Sequence, residues 1–115
     1  MTPQKTEVHL RHMLEHAREA MAFAQGRTRA DLDADRLLNL GLVHLLEIVG
    51  EAAARVPPGD RQQMPAIAWP QIVAMRIRLI HGYDVVDFDI LWSIILTDLP
   101  PLVEELERIL GEDAS

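Results

Sequence analysis

The sequence predicts an all-α protein, an antiparallel four-helix bundle with an additional short helix. Apolar residues recur at intervals of three and four along most of the chain, and no stretch alternates as a strand does. Glycine and proline divide the chain into segments of helical length. The chain has 115 residues, of which 49% are hydrophobic, enough for one core. We therefore expect a single domain over residues 1–115, with residues 111–115 as a frayed acidic tail.

The first half of the chain predicts two long helices. A first helix over residues 6–25 carries leucine, methionine and alanine on one face, and Gly26 is a typical C-terminal stop. Thr28 and Asp31 resemble an N-terminal cap, after which a second helix runs to about Arg55 as the central rod of the bundle. Gly50 lies inside this second helix, where glycine costs roughly 1 kcal/mol relative to alanine. We therefore expect a neighbouring helix to approach closely there.

The middle of the chain predicts a break and then a shorter helix. Residues 56–60 contain two prolines and a glycine that end the second helix, and a loop follows over residues 61–68. A third helix spans about residues 69–80, with tryptophan and proline in its first turn. Gly82 predicts where this helix ends.

The last third of the chain predicts two more helical segments. Asp84 or Asp87 caps a fourth helix that continues through Leu99. The two prolines that follow introduce a kink or a restart, and residues 102–110 form the last segment. The count is therefore four main helices and a short one.

The charge is unevenly distributed along the chain, whose net charge is −7 at pH 7. Residues 1–83 carry ten basic and nine acidic side chains, a sum of +1, whereas residues 84–115 carry one and nine, a sum of −8. Such a chain has no bulk attraction for nucleic acid, so contact with RNA requires a local basic pocket or a partner. The acidic segment is either a solvated face or a docking site for a basic partner.

The composition also bears on where the protein resides. The chain contains no cysteine, which excludes disulfides and thiolate metal sites and fits a reducing compartment. The N-terminal residues lack the apolar core of a signal peptide, and no apolar run reaches the roughly 20 residues needed to cross a bilayer. We therefore expect a soluble cytoplasmic protein without a membrane contact.

Arg76 and His81 lie in an otherwise apolar segment, where desolvating them is costly unless partners hold them. Arginine binds phosphate with a planar fork of donors, and histidine exchanges a proton near neutrality, a combination suited to cutting RNA. Residues five apart do not share a helix face, so Arg78, three residues before His81, competes with Arg76, and the spacing leaves this choice open. Glu47 and Glu51 are candidate partners, either as counter-ions of an arginine or as acid–base carboxylates. Otherwise Arg76 faces a solvated cleft between two subunits.

Four further histidines lie in the first two helices. His9, His12 and His16 share one face of the first helix and could chelate zinc, but they lack the HExxH pattern, and we expect exposed side chains without a metal. His44 sits among leucines in the second helix. It is either a hydrogen-bonded core histidine or a residue near a cleft between subunits.

The segment from Arg76 to Tyr83 carries a recognisable pattern, an arginine, four residues, His81 and then a tyrosine two positions later. This pattern resembles the HepT-like branch of the HEPN superfamily. Further agreement follows in the same order along the chain, at residues 50–52, 65, 69, 86–87, 92 and 98–100. The similarity covers nearly the whole sequence, which makes it more specific than the arginine–histidine spacing alone.

The resemblance implies an HEPN-like four-helix bundle and a homodimer whose two motifs meet across a cleft. It implies the toxin of a type VII-like toxin–antitoxin system, a ribonuclease that uses neither metal nor cofactor and cleaves RNA with Arg76 and His81. The family's partner is an MNT-type nucleotidyltransferase, which transfers AMP to the motif tyrosine, here Tyr83. Arg78, Glu47 and Glu51 are supporting candidates.

Ile77 departs from the family pattern, in which a polar residue, often asparagine, follows the arginine. Isoleucine cannot orient a phosphate or a base by hydrogen bonding, which predicts reduced or lost cleavage with an intact fold and intact partner binding. An alternative function therefore stays open: a non-catalytic helical subunit that binds nucleotide or substrate for a nucleotidyltransferase.

Overall fold

The computed structural model describes residues 3–80 and 85–111, and about 79% of these residues are helical. The predicted all-α, HEPN-like helical bundle is confirmed. Of the expected acidic tail only Gly111 is described, with a left-handed backbone (φ +73°) that ends the last helix.

Four layers of helix surround one apolar core. In chain order they are α1 (Gln4–Ala24), α3 (Arg36–Ala54), the pair α5 (Trp69–Val73) and α6 (Met75–Leu79), and a final run of α7 (Phe88–Ser93), a π-helical turn (Ile94–Asp98) and α8 (Leu99–Leu110). The short helices α2 (Arg29–Ala34) and α4 (Pro58–Arg61) lie in the connections. Because α3 contacts the other three layers, it is the central rod that the sequence predicts.

The length and composition of α3 alone would let it span a bilayer. Half of its apolar window is buried inside the protein, however, and Leu42, Leu46 and Val49 are fully enclosed by the other layers. This is the pattern of a core helix in a bundle.

The predicted helix from residue 28 to residue 55 is interrupted at Asp35, so the expectation of one long helix is wrong. The backbone of Asp35 is extended (φ −118°, ψ 97°), and its carboxylate accepts the N–H of Leu38 at 3.1 Å, which starts α3 afresh. The cap expected at Thr28 is confirmed, because Asp31 accepts the Thr28 N–H at 2.7 Å. An aspartate that caps a second helix start outweighs the continuous apolar periodicity.

Gly50 marks a close helix approach, as the sequence predicts. A Cβ atom at this position would lie 3.2 Å from the carbonyl oxygen of Ile72 and 3.6 Å from the Cβ of Met75. The third layer therefore packs directly on the backbone of α3.

The third predicted helix consists of two short ones. Ala74 leaves helical geometry (φ −84°, ψ 7°), so that α5 ends at Val73 and α6 begins at Met75. Ile80 is extended (φ −103°, ψ 116°) and terminates α6 two residues before Gly82, which lies outside the described residues.

The connection of residues 56–68, predicted as a loop, contains the single turn α4. Arg61 Nε donates to the Val56 carbonyl at 2.9 Å, and its guanidinium lies 5.7 Å from the centre of the Trp69 ring. The Trp69 indole donates to the Met64 carbonyl at 3.0 Å. These contacts fix the start of α5 against the end of α3.

The fourth layer begins at Asp87, whose carboxylate accepts two backbone N–H groups of α7, at 3.0 and 3.1 Å. Asp87 is thus a cap for this layer, and Asp84, the alternative, lies outside the described residues. The prolines at positions 100 and 101 do not restart the helix, and the run continues through them. Because prolines have no N–H, the carbonyls of the preceding turn lose two helical donors. The helix widens to a π-helical turn just before the prolines, where the Leu99 N–H donates to the Ile94 carbonyl.

Candidate active site

Arg76 lies on α6 with 69% of its side chain exposed. Its Nε donates to Glu47 Oε2 on α3 at 3.2 Å, which confirms Glu47 as its counter-ion. Although the segment around it is largely apolar, Arg76 is therefore not desolvated. Among the described residues no contact engages the terminal nitrogens of Arg76, so their donors remain for an anion.

Arg78 has different surroundings. Its Nη1 donates to Asp98 Oδ2 at 2.7 Å and to the Gln71 carbonyl at 3.4 Å. Only 30% of the Arg78 side chain and 20% of the Asp98 side chain are exposed. Arg78 therefore ties α6 to the π-helical turn and to α5, and this geometry favours Arg76 as the accessible cation of the motif.

His81 and Tyr83 belong to residues 81–84, which lie outside the described part of the chain. The positions on either side are described, and Ile80 forms an antiparallel bridge with Val86. The chain that leaves α6 at Ile80 therefore lies beside that helix end again at Val86, ten residues after Arg76.

A groove of about 620 Å³, which we call the motif groove, lies between α3 and these two chain ends. Its lining includes Arg36, His44 and Glu47 from α3, together with Ile80 and Val85. Glu47 thus lines the groove and holds Arg76 at the same time.

Arg36 and His44 are groove residues that sequence reasoning missed or misplaced. His44 is exposed and lines the motif groove, so its interpretation as a core histidine is wrong, whereas a place near a cleft between subunits stays a prediction. Leucines surround His44 in the sequence, but they do not tell which side of α3 faces outward. Arg36 forms no ion pair with any carboxylate of the described residues, and no sequence signal beyond its charge marks it.

A second groove of about 570 Å³, the α1–α3 groove, opens on the other side of Glu47. It is lined by His9 and His12 from α1 and by His44, Glu47 and Glu51 from α3. Because His44 and Glu47 line both grooves, the two lie side by side along this part of α3.

The histidine face of α1 is divided by the fold. His9 and His12 line the α1–α3 groove, whereas the Nδ1 of His16 lies 2.7 Å from the carbonyl oxygen of His12. In residues 3–80 and 85–111 no three histidine or carboxylate side chains are placed to hold a metal ion. Glu51 lies 3.9 Å from its helical neighbour Arg55 and is not engaged by Arg76.

The sequence profile of the family described as "Ribonuclease HepT-like" matches residues 13–109, a span that contains Arg76, His81 and Tyr83. The chain belongs to the HepT-like family. The predicted membership of the HepT-like family is thereby confirmed.

Relatives of this HepT-like chain carry ribonuclease names. A "Probable ribonuclease HepT" of Thermococcus cleftensis is 32% identical over 100 residues, which cover 84% of the HepT-like chain and 91% of the relative. A "Putative RNase" of Caldanaerobacter subterraneus is 31% identical over 105 residues, or 91% and 94% of the two chains. A "Putative RNase" of Methanocaldococcus jannaschii is 27% identical over 109 residues, or 95% and 100%. No solved structure matches the chain.

Proposed function

We propose that this HepT-like chain is a metal-independent endoribonuclease that acts in the cytoplasm as the toxin of a toxin–antitoxin pair. The observation that carries the proposal is the position of Arg76, an exposed guanidinium held beside the motif groove by Glu47. The same helix leads into the segment that contains His81. A permanent cation, followed five residues later in the sequence by a titratable imidazole, suits a phosphodiester substrate.

The proposed chemistry is an internal transesterification of RNA. His81 removes the proton from a ribose 2′-hydroxyl, and the 2′-oxygen attacks the adjacent phosphorus while the bond to the 5′-oxygen breaks. The 5′-oxygen leaves with a proton from the histidine or from water. The products end in a 2′,3′-cyclic phosphate and a 5′-hydroxyl. Arg76 stabilises the charge that develops on the non-bridging phosphate oxygens.

A homodimer is part of the proposal, and exposed apolar side chains around the motif groove support it. Leu40 and Val85 line the groove, Leu37 lies one turn before Leu40, and Ile77 adjoins Arg76. All four apolar side chains are exposed. A second copy that covers this surface would remove it from water and bring two Arg76 side chains to one cleft.

The deciding experiment compares the wild-type protein with His81→Ala on total RNA and on a defined oligonucleotide. We expect cleavage to be about 10²–10⁴-fold slower in the variant, because general acid–base catalysis contributes about this much. In cells, His81→Ala should relieve growth inhibition when the chain is expressed without its partner. Full cleavage and full toxicity of the variant would remove the histidine from the chemistry.

The partner we propose is an MNT-type nucleotidyltransferase that modifies Tyr83. The tyrosine oxygen attacks the α-phosphorus of ATP, pyrophosphate leaves, and the hydroxyl proton passes to the solvent. The added phosphate brings a negative charge seven residues after Arg76 and competes with RNA there. Mass spectrometry after co-expression with an active partner should show AMP on the wild type and none on Tyr83→Phe. Unmodified wild-type protein in the presence of partner and ATP would contradict the modification.

A second candidate function is a non-catalytic subunit that binds nucleotide or substrate for the nucleotidyltransferase. The observation that favours it is Ile77, which is exposed beside Arg76 and offers no hydrogen bond. A folded wild-type protein that binds nucleotide but leaves RNA intact would establish this function instead.

A further inference from the structure

The proposed cleavage chemistry leaves the α1–α3 groove without a role. Ile48 and Ala52 contribute apolar lining, and two imidazole rings, those of His9 and His12, stand on the α1 side. The volume of about 570 Å³ lies within the range of small-ligand sites. Its mixture of apolar surface, flat rings and a carboxylate is what an unstacked base requires.

Glu51 is the available hydrogen-bond acceptor of this groove. The other lining carboxylate, Glu47, is engaged by Arg76 at 3.2 Å. Glu51 has only its helical neighbour Arg55 at 3.9 Å among the described residues, beyond hydrogen-bond distance. An exposed pair of this kind contributes about 0–1 kcal/mol, so a ligand can replace it.

We propose that the α1–α3 groove is a guanine-binding subsite, in which Glu51 accepts hydrogen bonds from the base and His9 and His12 pack against its ring. The inference rests on the proposed ribonuclease function. Because Glu47 lines the groove and also holds Arg76, a base bound there belongs to a nucleotide next to the phosphate that Arg76 contacts. The subsite would therefore select where the RNA is cut.

Guanine is the base that fits the chemistry of Glu51. Its Watson–Crick edge presents two neighbouring donors, N1–H and the N2 amino group, and the two oxygens of a carboxylate can accept both. Adenine presents an acceptor at N1 and would set it against the carboxylate. Stacking on imidazole tolerates any base, so the histidines add affinity and Glu51 adds selectivity.

The test titrates guanosine, inosine and adenosine 3′-monophosphates into the intact protein and follows binding by calorimetry. We expect guanosine monophosphate to bind about tenfold or more tightly than adenosine monophosphate, the usual discrimination of a bidentate contact. Inosine monophosphate, which lacks the N2 amino group, should fall between them. E51Q should abolish the preference. The matched control is E7Q, since Glu7 also pairs with an arginine four residues on, at 3.0 Å, but does not line the groove.

The histidines need a separate readout. We expect the ring protons of His9 and His12 to shift in NMR spectra when guanosine monophosphate is added, and to shift more than those of His16, which adjoins His12 but does not line the groove. Equal affinity for guanosine and adenosine monophosphates, no binding, or a preference that survives E51Q would each overturn the subsite.

Cleavage mapping separates this inference from the proposed function. Wild-type protein should cut beside guanosine, and E51Q should cut with no preference for guanosine, whereas E7Q should keep the wild-type pattern. If RNA stays intact while guanosine monophosphate binds through Glu51, the ribonuclease proposal fails and the subsite stands. If cleavage depends on Arg76 but shows no preference for guanosine and does not change in E51Q, the ribonuclease proposal stands and the subsite is overturned.

Discussion

Arg76 and Arg78 are two residues apart on α6, yet the fold gives them opposite surroundings. Arg76 is mostly exposed beside the motif groove, with one bond to Glu47, whereas Arg78 is largely enclosed at 2.7 Å from Asp98. Side chains two apart on a helix are rotated by about 200° from each other, so Arg76 reaches Glu47 on α3 and Arg78 reaches Asp98 in the fourth layer. The difference shows that tertiary partners, not side-chain chemistry, decide which arginine of a motif can meet a substrate.

The largest effect expected from this comparison is on cleavage by Arg76→Ala. Loss of the cation should slow RNA cleavage by about 10²–10³-fold, the cost of removing one charge-stabilising donor. Thermal unfolding should change little, because the pair with Glu47 is exposed. The rate on a defined oligonucleotide and the Tm of each variant are measured together.

Arg108→Ala is the matched control for Arg76→Ala. Arg108 is equally exposed, at 70%, and is likewise bonded to one glutamate, but it lies on α8. Its loss should leave cleavage at the wild-type rate. Equal loss of cleavage in both variants would contradict a specific role of Arg76. Normal cleavage by Arg76→Ala, together with slow cleavage by a stably folded Arg78→Lys, would assign the role to Arg78 instead.

Asp98→Asn tests the other half of the comparison. The change leaves the Arg78 guanidinium partly buried without its carboxylate, which should cost about 1–3 kcal/mol of folding free energy. Urea unfolding measures the loss, with Asp33→Asn as a control, because Asp33 pairs with Arg29 at an exposed site. Unchanged stability with strongly reduced cleavage would place Asp98 and Arg78 in the chemistry instead.

Local sequence signals predict much of this fold. Gly50 correctly predicts the close contact of two helical layers. Thr28 and Asp87 cap helices, as their residue types predict. The same signals fail where two local preferences compete. At Asp35 a cap interrupts a continuous apolar periodicity, and at Ala74 no residue type marks the break at all.

The candidate site is less predictable because its pairings are long-range. Glu47 could be proposed for Arg76, since it stands on the neighbouring helix among apolar residues. The partner of Arg78 could not be proposed from the sequence. Asp98 lies 20 residues further along the chain, and its position depends on the π-helical turn before the two prolines. His44 shows a third limit, since helical periodicity alone does not tell which side of a central helix stays open.

Ile77→Asn tests whether a hydrogen-bonding side chain next to Arg76 in the sequence would increase cleavage. Ile77 is exposed, so the change should not disturb the core, and a polar group beside Arg76 could orient a phosphate. We expect cleavage to rise about 2–10-fold, the value of one net hydrogen bond of roughly 0.5–1.5 kcal/mol. Leu96→Asn, at an exposed apolar position on the π-helical turn, should leave the rate unchanged. A slower Ile77→Asn variant would indicate that the apolar side chain itself contributes, as in a subunit contact.

The smallest effect concerns Arg108, an exposed arginine on α8 that lines neither of the two grooves. The hydrogen bond from Arg108 lowers the pKa of the Glu105 carboxyl below its ordinary value, partly opposed by desolvation. A lowered pKa in the folded state means that the pair stabilises the fold above the unfolded pKa, and that this stabilisation disappears as the pH falls through the folded pKa. The Tm of Arg108→Ala should therefore lie slightly below that of the wild type at neutral pH and meet it in acid. In acid, where the Glu105 carboxyl is protonated in both proteins, the charge pair no longer exists. A Tm difference that persists at that pH would come from packing of the Arg108 side chain.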